Sequence, residues 1–399
     1  MNYTPPEHIL RAYATVLVNF ALGDGKGVQK GEVVNVALKE SAKPLLIHIQ
    51  EAILKAGGHT VLQYIPEGLD KSFFEHASNE QLDFFPEEYQ HARAHLFDHQ
   101  IGIISTNDKH ELEDTNPEKI MRKRRAIKPY RDLLDTKEVA GNFSWTVALY
   151  GTEAMAREAN LSLEAYWQEI INACFLDDID PVAKWKDVYE EIDRVKNALN
   201  NLDIASVHIK APGTNLSMEI GENRLWKGGG GNNIPSFEVF TSPDYHTLNG
   251  TITFTEPAFV NGNLMKGISL TFENGVVTDY HADQGEAFLK SLLDQPGGNR
   301  VGEFSMTDGR LSHITTFMGE TLYDENVGGP EGNTHIAIGK SFHICYGGDK
   351  DKTPEKWDAL GLNDSPIHVD LIATSPRTVT ATLKDGTEKI IYQNGRFTV

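Results

Sequence analysis

Toward the C-terminal end of the chain, His368 and Asp370 are separated by a single valine inside the apolar run Pro366-Ile367-His368-Val369-Asp370-Leu371-Ile372. Strand side chains alternate faces, so this spacing projects an imidazole and a carboxylate from one side, a pair suited to a metal ion. A carboxylate inside an apolar strand needs a partner or a cation, because desolvation otherwise drives it to take up a proton. Further candidate ligands lie upstream in short, unusual contexts. They are Glu238 in Ile-Pro-Ser-Phe-Glu-Val-Phe-Thr, Glu303 in Arg-Val-Gly-Glu-Phe, Glu325 in Leu-Tyr-Asp-Glu-Asn and His335 in Thr-His-Ile-Ala-Ile-Gly. Singly each is weak evidence, since most glutamates are solvated surface. Together they make metal-dependent hydrolysis the leading expectation.

Residues this far apart need a scaffold to bring them together. In the first half, strand patterns at 33–38, 59–65, 101–106 and 143–149 alternate with helical patterns at 44–56 and 118–134. Strands interleaved with helices predict βα units and a mainly parallel sheet. Residues 153–175 and 185–202 read as helices, with Asp180-Pro181 as the break between them. From about Ala205 the period changes to two, at 206–210, 215–220, 250–254 and 267–272. Glu273-Asn-Gly-Val, Lys384-Asp-Gly-Thr and Gln393-Asn-Gly-Arg are hairpin signals, and helical pattern survives mainly at 285–293. The expectation is an α/β N-terminal domain with a mainly parallel sheet over 1–202, followed by a β-rich α+β domain over 203–399 that carries the active site.

Composition narrows the partners. The 37 Lys and Arg against 57 Asp and Glu give a net charge of −20, which repels phosphate backbones and argues against nucleic acid. The densest basic stretch, 121–128, has helical spacing between acidic neighbours and reads as a solvated helix face. Cys174 and Cys345 form no Cys-x-x-Cys spacing, so a zinc finger, a redox dithiol or a disulfide scaffold is not expected, and each reads as a small buried hydrophobe. The amphipathic segment 9–22 is a poor signal peptide, and no apolar run is long enough to span a bilayer, so a cytoplasmic protein is expected. Gly228-Gly-Gly-Gly231 lacks the Lys-Ser/Thr of a phosphate loop, and no Gly-x-Ser-x-Gly elbow is present.

Several segments, in this order, carry a resemblance. They include Tyr13-Ala-Thr-Val-Leu-Val18, Gly151-Thr-Glu-Ala-Met-Ala156, Asn233-Ile-Pro-Ser-Phe-Glu-Val-Phe-Thr-Ser-Pro243, Thr321-Leu-Tyr-Asp-Glu-Asn326, His335-Ile-Ala-Ile-Gly339 and Gly361-Leu-Asn-Asp-Ser-Pro-Ile-His-Val-Asp370. Along nearly its whole length the chain resembles the thermophilic-type metalloaminopeptidases, the aminopeptidase T and aminopeptidase S group. The resemblance implies a pair of divalent ions (zinc, cobalt or manganese) held by Glu238, Glu303, Glu325, His335, His368 and Asp370. Four carboxylates against two dications balance in charge, and mixed oxygen and nitrogen donors suit those metals. It further implies a metal-activated water that removes N-terminal residues from short peptides, and a homodimer. Glu325 is the expected proton shuttle.

Two features depart from the family. The tyrosine usually found seven residues after the His335 position is Phe342 here, with Tyr346 nearby as the expected substitute. The interval between Glu325 and His335 also carries extra residues at 327–333. Two alternatives stay open at this point: a mononuclear Fe(II) ring-cleaving dioxygenase on the same scaffold, and a weakly active peptide- or metal-binding protein.

Overall fold

Apolar strands alternating with helices do build a parallel sheet. The computed structural model describes residues 3–350 and 352–399, and the chain divides into two units. The first runs through Val188 and takes back Gly230–Ser236, and the second comprises Tyr189–Gly229 and Phe237–Val399. That division differs from a single cut at 202, because the chain returns to the first unit for one short strand. In the first unit, strands His59–Ile65, Val33–Lys39, His99–Ile104, Ser144–Leu149 and Asn233–Ile234 lie side by side in that order, all parallel. The returning strand is two residues long, too short to leave a periodic signal.

Helix ends follow local chemistry. Helix Lys43–Ala56 stops at Gly57, whose φ of 85° lets its N–H turn back to the Ile53 and Leu54 carbonyls. Helix Pro117–Val139 begins with Pro at its first position and the Asn116 side chain accepting from the Glu118 N–H. The single helix expected over 153–175 is two, Glu153–Glu158 and Leu163–Ala173. Asn160 adopts a φ of 57° and Ser162 caps the second helix, accepting from the Ala165 N–H. A left-handed Asn followed by a Ser cap overrides continuous apolar periodicity.

The basic stretch 121–128 lies on helix Pro117–Val139, but it is not simply solvated. Arg122 pairs with Asp83, Arg125 with Glu118 and Lys128 with Asp132, while burial pulls the Arg124 guanidinium below its usual value. On the same helix, Glu138 Oε1 accepts from Trp145 Nε1 and from Asn232 Nδ2, each at 3.1 Å. Burial raises the Glu138 carboxyl above its ordinary range. A carboxyl raised on folding costs stability as pH climbs from its unfolded value through its folded one. Glu138→Gln keeps the acceptor without the charge. It is expected to raise the melting temperature at neutral pH relative to wild type, with the gain vanishing toward pH 4 (thermal melts across pH; ~4.3 is the unperturbed value).

The second unit is strand-rich. Its larger sheet runs, in spatial order, through Val276–His281, Ser269–Glu273, Asn249–Thr253, Thr214–Glu219, Ile204–Ala211, Thr378–Leu383, Glu388–Gln393 and Arg396–Phe397, all antiparallel. Two of the expected hairpin turns have both central residues at positive φ: Asn274 (49°) with Gly275 (82°), and Asn394 (51°) with Gly395 (71°). A smaller antiparallel sheet holds His368–Ala373, Asn333–Gly339, Val301–Thr307 and Glu238–Thr241, in that order. Every residue of its two central strands is buried. Cys174 and Cys345 are both buried, and neither is in a disulfide. No helix among the described residues is long and apolar enough to cross a membrane.

Candidate metal centre

Register in the smaller sheet decides which side chains can meet. Ser305 lies opposite His335, Glu303 opposite Ala337, Thr307 opposite Glu238, and Ala337 opposite Asp370, with Gly339 opposite His368. Directly opposed residues in an antiparallel pair share a face. Glu238, Glu303, His335, His368 and Asp370 therefore rise from one face on four adjacent strands. A register shift between Val301 and Glu303 makes Gly302 the extra residue of a bulge, and from Glu303 onward the regular alternation puts Glu303 on the same face as Ser305. Ala337, Gly339 and Ser305 between the acids and imidazoles are small, leaving room above the sheet.

The five side chains converge. His335 Nε2 lies 3.4 Å from Glu238 Oε2, 3.6 Å from Glu303 Oε1 and 3.8 Å from Asp370 Oδ1. His368 Nε2 lies 3.2 Å from Glu303 Oε2 and 3.3 Å from Asp370 Oδ1. Among the described residues two donor groups result, Glu238–Glu303–His335 and Glu303–His368–Asp370, the donor atoms of each within 4.8 Å of one another. Glu303 belongs to both. His368 Nδ1 donates to the Lys340 carbonyl at 2.9 Å, so a neutral ring presents a bare Nε2 to the acids. Ser305 Oγ donates to Glu238 Oε2 at 2.6 Å.

Proton affinities register the crowding of like charges. Burial first, and then Glu303, lifts the Glu238 carboxyl to about 7. Burial followed by Asp370 and Glu238 holds Glu325 well above the carboxylate range. Burial lowers both imidazoles, yet the acids outweigh it: Glu303 and Glu238 bring His335 to about 10, and Asp370 with Glu303 raises His368 well above normal. Asp370 is held below its ordinary value, burial being overcome by His368 and His335. The protons that this crowding of carboxylates draws onto the cluster can be replaced by metal cations, with the imidazoles serving as neutral donors. The donor set, carboxylate oxygens with imidazole nitrogens, fits zinc, cobalt or manganese.

The remaining sequence candidates fall in different places. Glu325 caps the short helix Thr321–Asp324, is buried, and interacts electrostatically with Asp370, Glu238, His335 and Glu303 while standing outside both donor groups. Asn326 beside it holds the segment, accepting from the Phe237 N–H at 2.7 Å. In the 327–333 segment, Asn333 Nδ2 donates to the Val327 carbonyl at 2.7 Å. Tyr346 packs with Trp357 and Leu362, its ring edge-on to Trp357 at 5.5 Å with Lys352 over it. Phe342 is the residue that reaches the cluster, its ring centroid 4.8 Å from that of His368. Sequence reasoning missed Ser305 and the Lys340 carbonyl. Ser305 was within reach, standing two residues from Glu303 on one face, whereas a backbone carbonyl leaves no trace in residue type.

Gly339 closes the site strand at a φ of 105°, and a Cβ there would lie 2.1 Å from the Ile367 carbonyl oxygen. Gly339→Ala is expected to destabilise the protein by about 1–3 kcal/mol from backbone strain alone. Urea unfolding checks this, and metal affinity should fall with it because Lys340 and His368 are the adjoining residues.

The sequence pattern of the thermophilic metalloprotease (M29) family matches residues 7–397. The chain belongs to that family. Aminopeptidase PepS of Streptococcus thermophilus is 28% identical, the alignment covering 98% of each chain. Aminopeptidase T of Thermus aquaticus is 30% identical over 74% of this chain and 76% of its own. The structure of wild-type AmpT from Thermus thermophilus superposes with a TM-score of 0.82 at 24% identity, covering 98% of this chain and 100% of the other, and so bears on the fold. This M29 protein is a metallo-aminopeptidase, a peptide hydrolase of the exopeptidase kind, and the family implies divalent metal cofactors. The relatives give no support to the ring-cleaving dioxygenase alternative.

Proposed function

We propose that this M29 aminopeptidase removes N-terminal residues from short peptides at a dinuclear centre. In this reading Glu238 and His335 would hold one divalent ion and His368 and Asp370 the other, with Glu303 belonging to both donor groups. The observation that carries it is the split of the Glu303 carboxylate: Oε1 faces His335 Nε2 at 3.6 Å while Oε2 faces His368 Nε2 at 3.2 Å. When bound, zinc, cobalt or manganese ions supply Lewis-acid polarisation of the first peptide carbonyl and a more acidic water.

The chain's own groups do the rest. Ser305 and the Lys340 carbonyl orient Glu238 and His368, fixing donor directions before substrate arrives. Glu325 stands beside the donor groups without belonging to either, a position suited to taking a proton from the attacking water and returning it to the leaving amine. The substrate's free α-amine would be held by a contact to a carboxylate of the centre, which restricts cleavage to the N-terminal bond. A homodimer, as the family resemblance implies, is part of the reading.

Dipeptides and leucyl p-nitroanilide, assayed before and after chelation and again after zinc, cobalt or manganese is restored, test it. Activity lost on chelation and recovered on add-back is the expected result. Tight peptide binding without turnover under any of these metals would instead favour a binding protein.

A further inference from the structure

The two imidazoles of the centre are supported differently. His368 gives its Nδ1 proton to the Lys340 carbonyl at 2.9 Å. His335 turns Nε2 toward Glu238, Glu303 and Asp370, while its buried Nδ1 has no hydrogen-bond partner among the described residues. Two more buried polar atoms share that condition, Thr307 Oγ1 and Asn333 Oδ1. Both residues are wholly enclosed, at 0% exposure. Asn333 lies two residues before His335 on one strand, and Thr307 is its register partner on the next. All three side chains therefore rise from the sheet face that carries the donor groups. Glu303 and Asp370, two of the three acids before Nε2, both stand opposite Ala337, which leaves Nδ1 on the flank of the ring toward Asn333. The surroundings are fixed. Asn333 Nδ2 is committed to the Val327 carbonyl at 2.7 Å, so the atom left over is the acceptor Oδ1. The Tyr392 hydroxyl donates to the Thr307 carbonyl at 2.8 Å and holds that strand end in place.

From this geometry we infer that Thr307, Asn333 and His335 enclose a bound water, which accepts a hydrogen bond from His335 Nδ1, donates to Asn333 Oδ1 and is completed by Thr307 Oγ1. Thr307 and Asn333 are then positioning residues for the Glu238–His335 donor group. The inference rests on the dinuclear reading above and deepens it. Its logic is a count of protons. A neutral imidazole carries one N–H, and Nε2 must be bare to serve as a metal donor, so the proton sits on Nδ1. A buried N–H without an acceptor is costly, and so is a buried amide oxygen without a donor. A water has two protons and two lone pairs and answers all three atoms at once. Buried waters typically make about three such bonds. A cation in the same place would face the Nδ1 proton and is excluded. Holding that proton fixes the ring's tautomer and makes Nε2 the stronger donor.

The test measures zinc and cobalt affinity by competition with a chromogenic chelator, beside thermal melts of the chelated proteins and a crystal structure of zinc-loaded wild type that resolves ordered waters. The map should show a water within hydrogen-bond reach of His335 Nδ1, Thr307 Oγ1 and Asn333 Oδ1. Thr307→Val and Asn333→Leu should each weaken one of the two ions about ten- to a hundredfold and leave the other near its wild-type affinity. In the cobalt-loaded protein the same variants should alter the visible absorption, which reports the ligands around the ion. Thr307→Ser restores the hydroxyl and should recover wild-type affinity, separating loss of the water from misfolding. Asn333→Asp keeps an acceptor while giving up the N–H to Val327, and should hold metal at least as tightly as wild type. A loss there as large as in Asn333→Leu would overturn the inference, because the bond to Val327 would then account for the effect. Unchanged affinity in both Thr307→Val and Asn333→Leu, or a map with no water at that position, also overturns it and leaves the dinuclear reading intact. Failure of wild type to bind two ions would count against that reading itself and take the positioning role with it.

Discussion

Glu303→Gln is expected to abolish turnover while leaving the fold in place. Glutamine has the shape of glutamate, so packing between the Glu238 and His335 strands is retained. Its amide presents one acceptor oxygen and one NH2 donor, however, where Glu303 presents two acceptors to two histidines. Both donor groups lose an anionic oxygen, one keeping a neutral amide oxygen and the other gaining an N–H directed at an imidazole nitrogen. Losing several kcal/mol of transition-state charge stabilisation corresponds to about a hundred- to ten-thousand-fold in rate. The check is kcat/KM on leucyl p-nitroanilide beside circular dichroism and thermal melts. Full activity in a folded variant would remove Glu303 from the centre.

The second large effect is on stability. Without cations, the cluster folds only by taking up protons or by tolerating repulsion, as the raised proton affinities of Glu238 and Glu325 register. A ligand that binds the folded chain alone stabilises it by about 2.7 kcal/mol at a hundred times its dissociation constant. For units of this size each kcal/mol is worth about 2–4 °C in melting temperature. Zinc, cobalt or manganese should therefore raise the melting temperature of chelated protein by roughly 5–10 °C. His335→Ala, which removes the imidazole that faces three carboxylates, should blunt that rise. A melting temperature indifferent to metal in wild type would contradict the charge argument.

The parts of this architecture legible from sequence are those whose physics is local. Strands at 33–38 and 59–65, the Gly57 helix stop and the Asn-Gly hairpins each follow from a few adjacent residues. Glu303 and His335 were noticed through residue type and resemblance rather than as strand residues. Their strands, Val301–Thr307 and Asn333–Gly339, are buried along their whole length and so lack the period-two pattern that marks a half-exposed strand. His368 and Asp370 were the exception, because their carboxylate and imidazole interrupt an otherwise apolar run. That all five share a face depends on the pairing register of four strands, a property of chain pairing with no local signature. Phe342 illustrates the same limit from the other side. From the sequence it is a lost hydroxyl, and only the structure shows its ring against His368.

The most direct measurement is an anomalous-diffraction map of crystals loaded with zinc or manganese, with metal content per chain determined in parallel. Two peaks on either side of the Glu303 carboxylate, one toward His335 and one toward His368, with two ions per chain, are the predicted result. A single peak, or peaks away from these side chains, would contradict the dinuclear centre on which the account depends.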